Sequence, residues 1–424
     1  MVGEIAINGA KNAILPILAA SLLSDGECVL DNVPLLEDVF VMCEILRHYG
    51  ASIIWLGDSL VVKAENLKNQ QPPEDLMKKM RASNLVLGPL ISRFGRLSLP
   101  FPGGCAIGLR PMNYHLMALS QMGVETSNSG SYIEAKSKKM TGGKICLDFP
   151  SVGATENAIM AAVRIPGQTV ICNAAREPEI VDLADFLRKM GARIEGDGSD
   201  TIIIDGVPRL SGAHHRIRCD RIEAGTMMVA AAITGGDILL TGYSEHDLQA
   251  VTAKLRETGV LISGDERGLR VKCCRRPQAA DMCTMPYPGF PTDMQAQYMA
   301  LMTAAQGTAV ISENIFENRF RHAEEMLRMG ADIRIAGDHA VVKGKKRLNP
   351  AKVQATDLRA GAALVLLALS IAGESVVENV FYIDRGYQNL ERSLASLGAD
   401  IKRQAVPAAE TEEISLRQPD ICPC

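Results

Sequence analysis

The sequence lacks the features of a membrane or secreted protein. Its 424 residues contain no apolar run that approaches the roughly 18 residues needed to cross a bilayer. Its first four residues, MVGE, lack the basic and apolar regions of a signal peptide. Because 47% of the residues are hydrophobic, we expect a soluble cytoplasmic protein of two or three domains with ample core.

The sequence also lacks an excess of positive charge, since its formal net charge is -4, and this argues against a nucleic-acid partner. The 11 cysteines are odd in number and scattered, so they do not indicate a disulfide framework. The cysteines at 273–274 and 422–424 have no second ligand pair at zinc spacing, so we expect no metal. The TGGK segment at 141–144 lacks the first half of a phosphate-binding loop, which disfavours a nucleoside triphosphatase.

One pattern is present six times: an amphipathic helical run ends at a glycine, and a short β-branched run follows. The six glycines are spaced by about 70 residues, at Gly50, Gly123, Gly191, Gly259, Gly330 and Gly398. A glycine at this place is typical of the left-handed position that ends a helix. A second helix in each unit is apolar nearly all round, which indicates burial. We therefore predict an α/β protein built from six repeats.

Six such units exceed one core of about 250 residues. We expect them to divide three and three into two similar lobes, with a junction near 218–219. Each lobe would hold three buried helices with sheets outside. Residues 405–424 are polar and poor in apolar side chains, so we expect a disordered tail.

The segment FPGGCAIGLRP at 101–111 places Cys105 after two adjacent glycines and five residues before Arg110. Paired glycines are unfavourable in a regular core element, so the segment favours a loop. A thiol near a cation in such a loop is a usable nucleophile or proton donor. An ordinary bystander cysteine is an equally open interpretation from spacing alone.

Polar residues open the six buried helices. They are Lys11, Asn12, Arg81, Ser83, Asn84, Ser151, Thr155, Glu156, Arg221, Glu223, Thr226, Thr292, Asp293, Asp357 and Arg359. Helix capping explains the hydroxyl, amide and aspartate side chains. It does not explain Lys11, Arg81 or Arg359, because the helix dipole disfavours cations at this end. A phosphate or carboxylate ligand near these cations would remove the conflict, and a cleft between the lobes would attract polyanions.

Two of these carboxylates, Asp293 and Asp357, are candidates for acid-base chemistry or for stabilising positive charge. Capping, or pairing with Arg359, remains an equal alternative for both. Arg385 lies beside Asp384 in FYIDRGY, where an exposed salt bridge is the default interpretation.

Ten motifs occur in order along residues 3–404. They are INGAKNAILPILAASLL, RASNLVLGPLIS, PGGCAIGLRP, PSVGATENAIMAA, AAREPEIVDL, DRIEAGTMMVAAAI, YPGFPTDMQAQ, ENIFENRF, ATDLRAGAALVLLAL and IDRGY. Together they resemble the UDP-N-acetylglucosamine 1-carboxyvinyltransferase family of enolpyruvyl transferases. The related shikimate-3-phosphate enzymes do not carry the PGGC loop.

The resemblance implies two inverse α/β barrel lobes of three repeats each, with the active site in the cleft between them. The first lobe would span 11–218 and carry the Cys105 loop, and the second would combine 1–10 with 219–404. The implied reaction transfers the enolpyruvyl group of phosphoenolpyruvate to the 3-hydroxyl of UDP-N-acetylglucosamine and releases phosphate. It implies no metal or organic cofactor. We expect a monomer without nucleic-acid or membrane partners, acting in peptidoglycan precursor synthesis.

The resemblance also implies roles for individual residues. Cys105 would form an adduct with phosphoenolpyruvate, donate a proton and be the thiol that fosfomycin alkylates. Asp293 would deprotonate the sugar hydroxyl, and Asp357 would stabilise the cationic intermediate. The residues that would hold phosphoenolpyruvate are Lys11, Asn12, Arg110 and Arg385, and Arg359 would add to the electropositive cleft. The residues that would contact the nucleotide sugar are Arg81, Arg110, Pro111, Met112, Asn113, Tyr114, Ser151, Val152, Gly153 and Ile315.

Two alternatives remain. One is enolpyruvyl transfer to shikimate 3-phosphate, which Cys105 and the SVGATEN motif disfavour. The other is a catalytically weak paralogue that binds UDP-sugars. The joint presence of Lys11, Cys105, Asp293, Asp357 and Arg385 argues against this second alternative, because a binding protein has no need for the thiol and both carboxylates.

Overall fold

The structure is a computed structural model that describes residues 1–103 and 112–404. Its helices are α1 (Lys11–Ser21), α2 (Glu37–His48), α3 (Glu74–Lys78), α4 (Leu87–Phe94), α5 (Asn113–Ser120), α6 (Val152–Ala162), α7 (Pro178–Lys189), α8 (Arg221–Thr234), α9 (Gln249–Glu257), α10 (Gln295–Ala304), α11 (His322–Arg328), α12 (Leu358–Leu369), α13 (Phe381–Asp384) and α14 (Leu390–Ser396). Short 3₁₀ helices span Arg81–Val86, Glu245–Leu248 and Thr292–Met294. The 3₁₀ helices Arg81–Val86 and Thr292–Met294 immediately precede α4 and α10, so the polar start of each of these helices is wound more tightly than an α-helix.

The strands are short, most of them five residues. They are β1 (Val2–Ala6), β2 (Glu27–Asp31), β3 (Ser52–Leu56), β4 (Ser59–Lys63), β5 (Arg96–Pro100), β6 (Glu125–Ser129), β7 (Tyr132–Lys136), β8 (Lys144–Cys146), β9 (Gln168–Cys172), β10 (Arg193–Glu195), β11 (Thr201–Asp205), β12 (His214–Arg216), β13 (Asp237–Thr241), β14 (Leu261–Asp265), β15 (Gly268–Lys272), β16 (Met282–Cys283), β17 (Thr308–Ser312), β18 (Asp332–Ala336), β19 (His339–Lys343), β20 (Lys352–Gln354) and β21 (Val376–Glu378).

The six repeat glycines end six helices, as the pattern predicted. They follow α2, α5, α7, α9, α11 and α14, and each has a φ between 85° and 104°. This left-handed conformation carries a steric penalty for residues with a Cβ, which explains the periodic glycine. The predicted repeat is confirmed.

Within the described residues, six sheets correspond to the six repeats. Their strand orders are β12-β2-β4-β3, β5-β7-β6, β8-β9-β11-β10, β1-β13-β15-β14, β16-β17-β19-β18 and β20-β21. In each four-stranded sheet, three antiparallel strands of one repeat are joined by a parallel strand from elsewhere in the chain. Thus β1 pairs with β13, and β12 pairs with β2. The fold is the predicted α/β arrangement of repeats.

The apolar helices α1, α4, α6, α8, α10 and α12 form the interior. In α8 every residue except Thr234 is buried, and in α10 every residue except Ala304. The helices α8, α10 and α12, which belong to the second half of the chain, pack on one another. Their C-terminal ends line one cavity of about 420 Å³. They are therefore parallel, and their N-termini lie together at the opposite end. Along residues 1–103 and 112–404, no helix is long and apolar enough to span a bilayer.

The buried apolar side chains form two clusters. One lies within residues 10–217, and the other combines Ile7 with residues 222–397. The chain crosses between them at two adjacent points, where Ala10 N–H donates to Arg218 O and Asp220 N–H donates to Asn8 O, both at 2.8 Å. On this distribution we propose a first lobe of 11–218 and a second lobe of 1–10 with 219–404.

Candidate active site

Most of the predicted site residues lie at the N-terminal ends of the buried helices. The loop residues Cys105, Arg110 and Pro111 lie outside the described residues, as does the tail 405–424. The described candidates form three groups: one bridges the lobes, one belongs to the second lobe and one to the first.

The bridging group joins Lys11, at the start of α1, to Arg385, just after α13. Both side chains pair with Asp38, in the first turn of α2. Lys11 Nζ lies 2.8 Å from Asp38 Oδ2, and Arg385 Nε lies 2.8 Å from Asp38 Oδ1. The Asp38 side chain is only 4% exposed. One buried carboxylate therefore brings together the two cations predicted to hold phosphoenolpyruvate.

The charge of Asp38 depends on its two partners. Burial alone would raise its pKa, but Lys11 and Arg385 together lower the pKa below its ordinary value. Asp38 is therefore ionised at neutral pH. The default interpretation of an exposed salt bridge at Arg385 was wrong, because its partner Asp38 is buried and lies in the first lobe. Asp384 pairs with Arg403.

The second-lobe group centres on Asp293, in the 3₁₀ turn before α10. Its Oδ2 accepts hydrogen bonds from Arg359 Nε at 3.2 Å and Nη2 at 3.0 Å, and its Oδ1 accepts from Arg319 at 3.3 Å. Both arginine side chains are at most 4% exposed, whereas Asp293 is 27% exposed. Asp293 is thus a partly exposed carboxylate whose position is fixed by two buried cations. The position of Arg359 at a helix start indicated a nearby anion. Asp293 supplies part of that negative charge.

Asp357 is the N-cap of α12. Capping was one of the two interpretations that its sequence position allowed. Its Oδ1 accepts hydrogen bonds from the backbone N–H groups of Arg359 at 2.9 Å and Ala360 at 3.1 Å. The buried His322 lies near it, and burial lowers the pKa of His322 to about 4, so this imidazole is neutral. Capping fixes the position of the Asp357 carboxylate and does not exclude a role with substrate.

Asp220 connects the two lobes at the starts of α1 and α8. Its Oδ1 accepts from Ile222 N–H at 2.7 Å and Glu223 N–H at 3.1 Å, and its Oδ2 accepts from Lys11 N–H at 3.2 Å. A single carboxylate therefore caps two helices from different lobes, which holds Lys11 in register with the second lobe.

The first-lobe group surrounds His115, a buried side chain of α5. Asn157 Nδ2 donates to His115 Nδ1 at 3.0 Å, and Asn84 Nδ2 lies 3.5 Å from His115 Nε2. Burial, and then the nearby Arg81, lower the pKa of His115 to about 3, so the imidazole is neutral. Arg81 therefore lies near α5, whose first residues are Asn113 and Tyr114.

The segment Ser151–Gly153 lies against the same histidine. Ser151 is the N-cap of α6, and a Cβ on Gly153 would approach His115 Cε1 to 3.0 Å. Asn157 also accepts from Gly88 N–H at 2.6 Å and donates to Gly153 O at 3.2 Å. Within the first lobe, the structure thus brings together the predicted sugar-binding residues: Arg81, Met112, Asn113, Tyr114, Ser151, Val152 and Gly153.

Ile315 is placed next to the second-lobe group by a buried glutamate. Glu313 Oε1 accepts from Ile315 N–H at 2.9 Å, and its Oε2 accepts from Thr292 Oγ1 at 2.9 Å. The loop of Ile315 is thereby tied to the residue before Asp293. Asn12 lies half-buried beside Lys11 in α1.

Seven residues of this site were not predicted from the sequence: Asp38, His115, Asn157, Asp220, Glu313, Arg319 and His322. Asp38 occupies a helix first turn, where acidic residues are ordinary. Glu313 and Arg319 lie in the ENIFENRF motif, which marked the segment but not their contacts. Nothing in the sequence distinguishes His115 from a histidine buried for packing.

The site combines three kinds of group. It has cations suited to phosphate and carboxylate, a partly exposed aspartate held by two arginines, and an uncharged hydrogen-bonding network. Among residues 1–103 and 112–404, no cluster of three or more His, Cys, Asp or Glu side chains could hold a metal ion. The arrangement suits proton transfer and charge stabilisation on an anionic ligand.

Comparisons with known proteins agree on one family. A family described as EPSP synthase (3-phosphoshikimate 1-carboxyvinyltransferase) matches residues 1–394. UDP-N-acetylglucosamine 1-carboxyvinyltransferase 1 of Caldanaerobacter subterraneus subsp. tengcongensis is 52% identical over 402 residues, covering 95% of this chain and 97% of that protein. The corresponding protein of Geobacter metallireducens is 49% identical over 403 residues, covering 95% and 97%.

Solved structures give the same fold. The enolpyruvyl transferase NikO from Streptomyces tendae matches with a TM-score of 0.86 and 25% identity, covering 96% of this chain and 97% of that one. EPSP synthase from Acinetobacter baumannii matches with a TM-score of 0.72 and 15% identity, covering 94% and 96%. The second likeness concerns the fold alone.

Proposed function

Since the chain belongs to the enolpyruvyl transferases, in the family of UDP-N-acetylglucosamine 1-carboxyvinyltransferases, we infer that it transfers the enolpyruvyl group of phosphoenolpyruvate to the 3-hydroxyl of UDP-N-acetylglucosamine. Phosphate is released, and the product is a precursor of peptidoglycan. Transfer to shikimate 3-phosphate and a role limited to sugar binding are both less well supported.

The observation that carries the site assignment is the fixed position of Asp293. Two buried arginines pair with this carboxylate and orient it, while 27% of its side chain stays exposed. A general base must be ionised and within reach of the proton that it takes. We assign to Asp293 the removal of the proton from the sugar 3-hydroxyl.

The remaining roles follow the order of the reaction. The hydroxyl oxygen attacks C2 of phosphoenolpyruvate as Asp293 takes its proton, while the Cys105 thiol gives a proton to C3. Asp357, fixed as a helix cap, faces the positive charge that develops at C2. The tetrahedral intermediate then returns a C3 proton to the Cys105 thiolate and expels phosphate, which takes up the proton held by Asp293. The positive potential for the phosphate and carboxylate groups comes from the cations Lys11, Arg81, Arg110, Arg359 and Arg385. Asn12 would bind phosphoenolpyruvate beside Lys11.

The nucleotide sugar would bind mainly to the first lobe. Arg81, residues 110–114 and residues 151–153 would contact it there, with Ile315 completing the site from the second lobe. The start of α6 offers N–H groups to a diphosphate, and α6 is long enough for its dipole to favour this. We further propose a monomer acting in the cytoplasm, which sedimentation of the purified chain would test for the oligomeric state.

The experiment is phosphate release from phosphoenolpyruvate with and without UDP-N-acetylglucosamine. It compares the unmodified chain with Cys105→Ala, and uses Cys274→Ala as a matched control because Cys274 is an exposed thiol far along the sequence. We expect release that needs the nucleotide sugar, falls strongly in Cys105→Ala and is unchanged in Cys274→Ala.

Other outcomes distinguish the alternatives. Release that proceeds with shikimate 3-phosphate but not with the nucleotide sugar would overturn the substrate assignment. A folded chain that binds UDP-N-acetylglucosamine but releases no phosphate would favour the binding paralogue. Equal loss in both cysteine variants would remove the special role of Cys105.

A further inference from the structure

Two cysteines lie opposite each other on the outer sheet of the third repeat. Strands β8 and β9 are parallel neighbours, and their register pairs Cys146 with Cys172. The preceding pair, Ile145 and Ile171, is fully buried. Because side chains alternate between the two faces of a strand, both thiols point to the outer face. Cys146 is exposed and Cys172 is partly exposed.

The spacing of this pair suits a covalent link. Neighbouring strands lie about 4.8 Å apart, which is inside the range of about 4.4–6.8 Å that Cα atoms span across a disulfide. Burial, and then a hydrogen bond with Cys146, raise the pKa of Cys172. Cys146 is the more exposed of the two, so a dissolved oxidant reaches it first.

The other described cysteines lack this arrangement. Cys28, Cys43 and Cys273 are buried. Cys283 pairs with Ser312 across its strand, and Cys28 pairs with Val62. Among the strand pairs of the described residues, β8 and β9 alone place two cysteines in register.

We propose that Cys146 and Cys172 form a reversible disulfide, with a low-molecular-weight disulfide as the oxidant. The Cys146 thiolate attacks one sulfur of the oxidant, which forms a mixed disulfide and releases one small thiolate. Cys172 then loses its proton and attacks the Cys146 sulfur, displacing the second small thiolate. Two cysteine thiols are oxidised by two electrons, and the oxidant is reduced to two thiols. A small dithiol reverses the reaction.

This site is separate from the transfer reaction, which does not need either thiol. The two cysteines lie at the end of the sheet from which residues 147–150 lead to Ser151. Leu147 N–H donates to Cys172 O at 3.1 Å, and Asn173 Nδ2 donates to Leu147 O at 2.7 Å. A disulfide would therefore fasten β8 to β9 at the point where the chain leaves the sheet for α6.

The sequence makes the test direct. Trypsin cleaves after Lys144, Arg164 and Arg176, so the two cysteines fall in separate peptides, 145–164 and 165–176, and each holds a single cysteine. The folded chain is treated with glutathione disulfide, the remaining thiols are alkylated, and peptides are mapped without reduction. We expect the two peptides to appear linked, and to separate after treatment with a small dithiol.

Variants and an unfolded sample complete the test. In Cys146→Ser and Cys172→Ser the remaining cysteine should accumulate as a stable mixed disulfide with glutathione, while Cys283→Ser should form the link as the unmodified chain does. The same oxidant in concentrated urea should give scrambled links. The proposal is overturned if the folded chain carries glutathione separately on both peptides. It is also overturned if the link is no more abundant than links to Cys274 or Cys283.

Discussion

The two lobes share one repeat, yet their polar groups at the buried helix starts differ in kind. In the first lobe the network around His115 consists of Asn84, Asn157 and a neutral imidazole. In the second lobe the corresponding place holds Asp293 between Arg319 and Arg359. One network is uncharged, and the other is ionic.

The difference matches the two tasks of the proposed reaction. An uncharged amide network can orient backbone donors and a helix N-terminus toward a nucleotide sugar without a buried charge that needs compensation. Proton transfer and a developing cation instead need charges that are fixed before the reaction begins. The same fold therefore supplies recognition from one lobe and charge stabilisation from the other.

Removing the central charge of the ionic network should have the largest effect. We expect Asp293→Asn to lower kcat by about 10³-fold, because the side chain keeps its shape but can no longer accept the hydroxyl proton. Binding of UDP-N-acetylglucosamine, measured by calorimetry, should change far less. The exposed Asp400→Asn is the control. A kcat within about fivefold of the unmodified chain would contradict the assignment of the base.

The bridge between the lobes should come next. Asp38→Asn leaves Lys11 and Arg385 without their shared carboxylate, so we expect a loss of about 3 kcal/mol in the free energy of unfolding and a raised KM for phosphoenolpyruvate. Glu37→Gln, one residue away, is the control.

The pH dependence of this loss has a defined sign. The folded pKa of Asp38 is below its ordinary value, so its contribution is present above about pH 4 and is lost as the pH falls through the folded pKa. The free energies of unfolding of the unmodified chain and Asp38→Asn should therefore converge in acid. A constant difference down to the acid transition would contradict the charge argument.

The neutral network should make the first lobe sensitive to acid. With a pKa near 3 when folded, His115 binds a proton in the unfolded chain at higher pH than in the folded chain. Stability should fall as the pH drops, by about 2 kcal/mol between pH 6.5 and pH 5. His115→Gln should remove this slope. Fluorescence of Trp55, the single tryptophan and a first-lobe residue, follows the unfolding. An unchanged slope would count against a neutral buried imidazole.

Glu223 should give the second lobe a smaller dependence of opposite sign. Burial, and then Asp220, raise its pKa to about 7, although Asn8 donates two hydrogen bonds to it. The folded chain holds this proton longer than the unfolded chain, so stability should fall as the pH rises. The change is about 1.2 kcal/mol between pH 5.5 and pH 6.5, and Glu223→Gln should abolish it. Urea unfolding followed by circular dichroism would measure it. A slope that persists in the variant would exclude Glu223 as its source.

The sequence predicted the repeat because its cause is local. A glycine that ends a helix must adopt a left-handed conformation, and this requirement recurs at Gly50 and five later positions whatever surrounds them. Burial of α8 and α10 was equally readable, because a helix that is apolar all round has no face suited to water.

The contacts of the site could not be predicted in the same way. Asp38 and Arg385 are separated by 347 positions in the sequence, and nothing in either segment indicates the other. Asp384 is the sequence neighbour of Arg385, but in the fold Asp384 pairs with Arg403 and Arg385 pairs with Asp38. Cations at helix starts did indicate an anion, and for Arg359 the structure supplies Asp293, a protein carboxylate.

The pairing of β1 with β13 has a consequence for the order of events during translation. Residues 2–6 are synthesised more than 200 residues before their hydrogen-bonding partners, residues 237–241. The first lobe has its own core and can close before then, because domains generally fold as units from the N-terminal end during synthesis. The nascent chain must therefore hold a short strand without its partner while an entire lobe folds. Final assembly of the second lobe then depends on residues 2–6 meeting a segment that is synthesised after the first lobe.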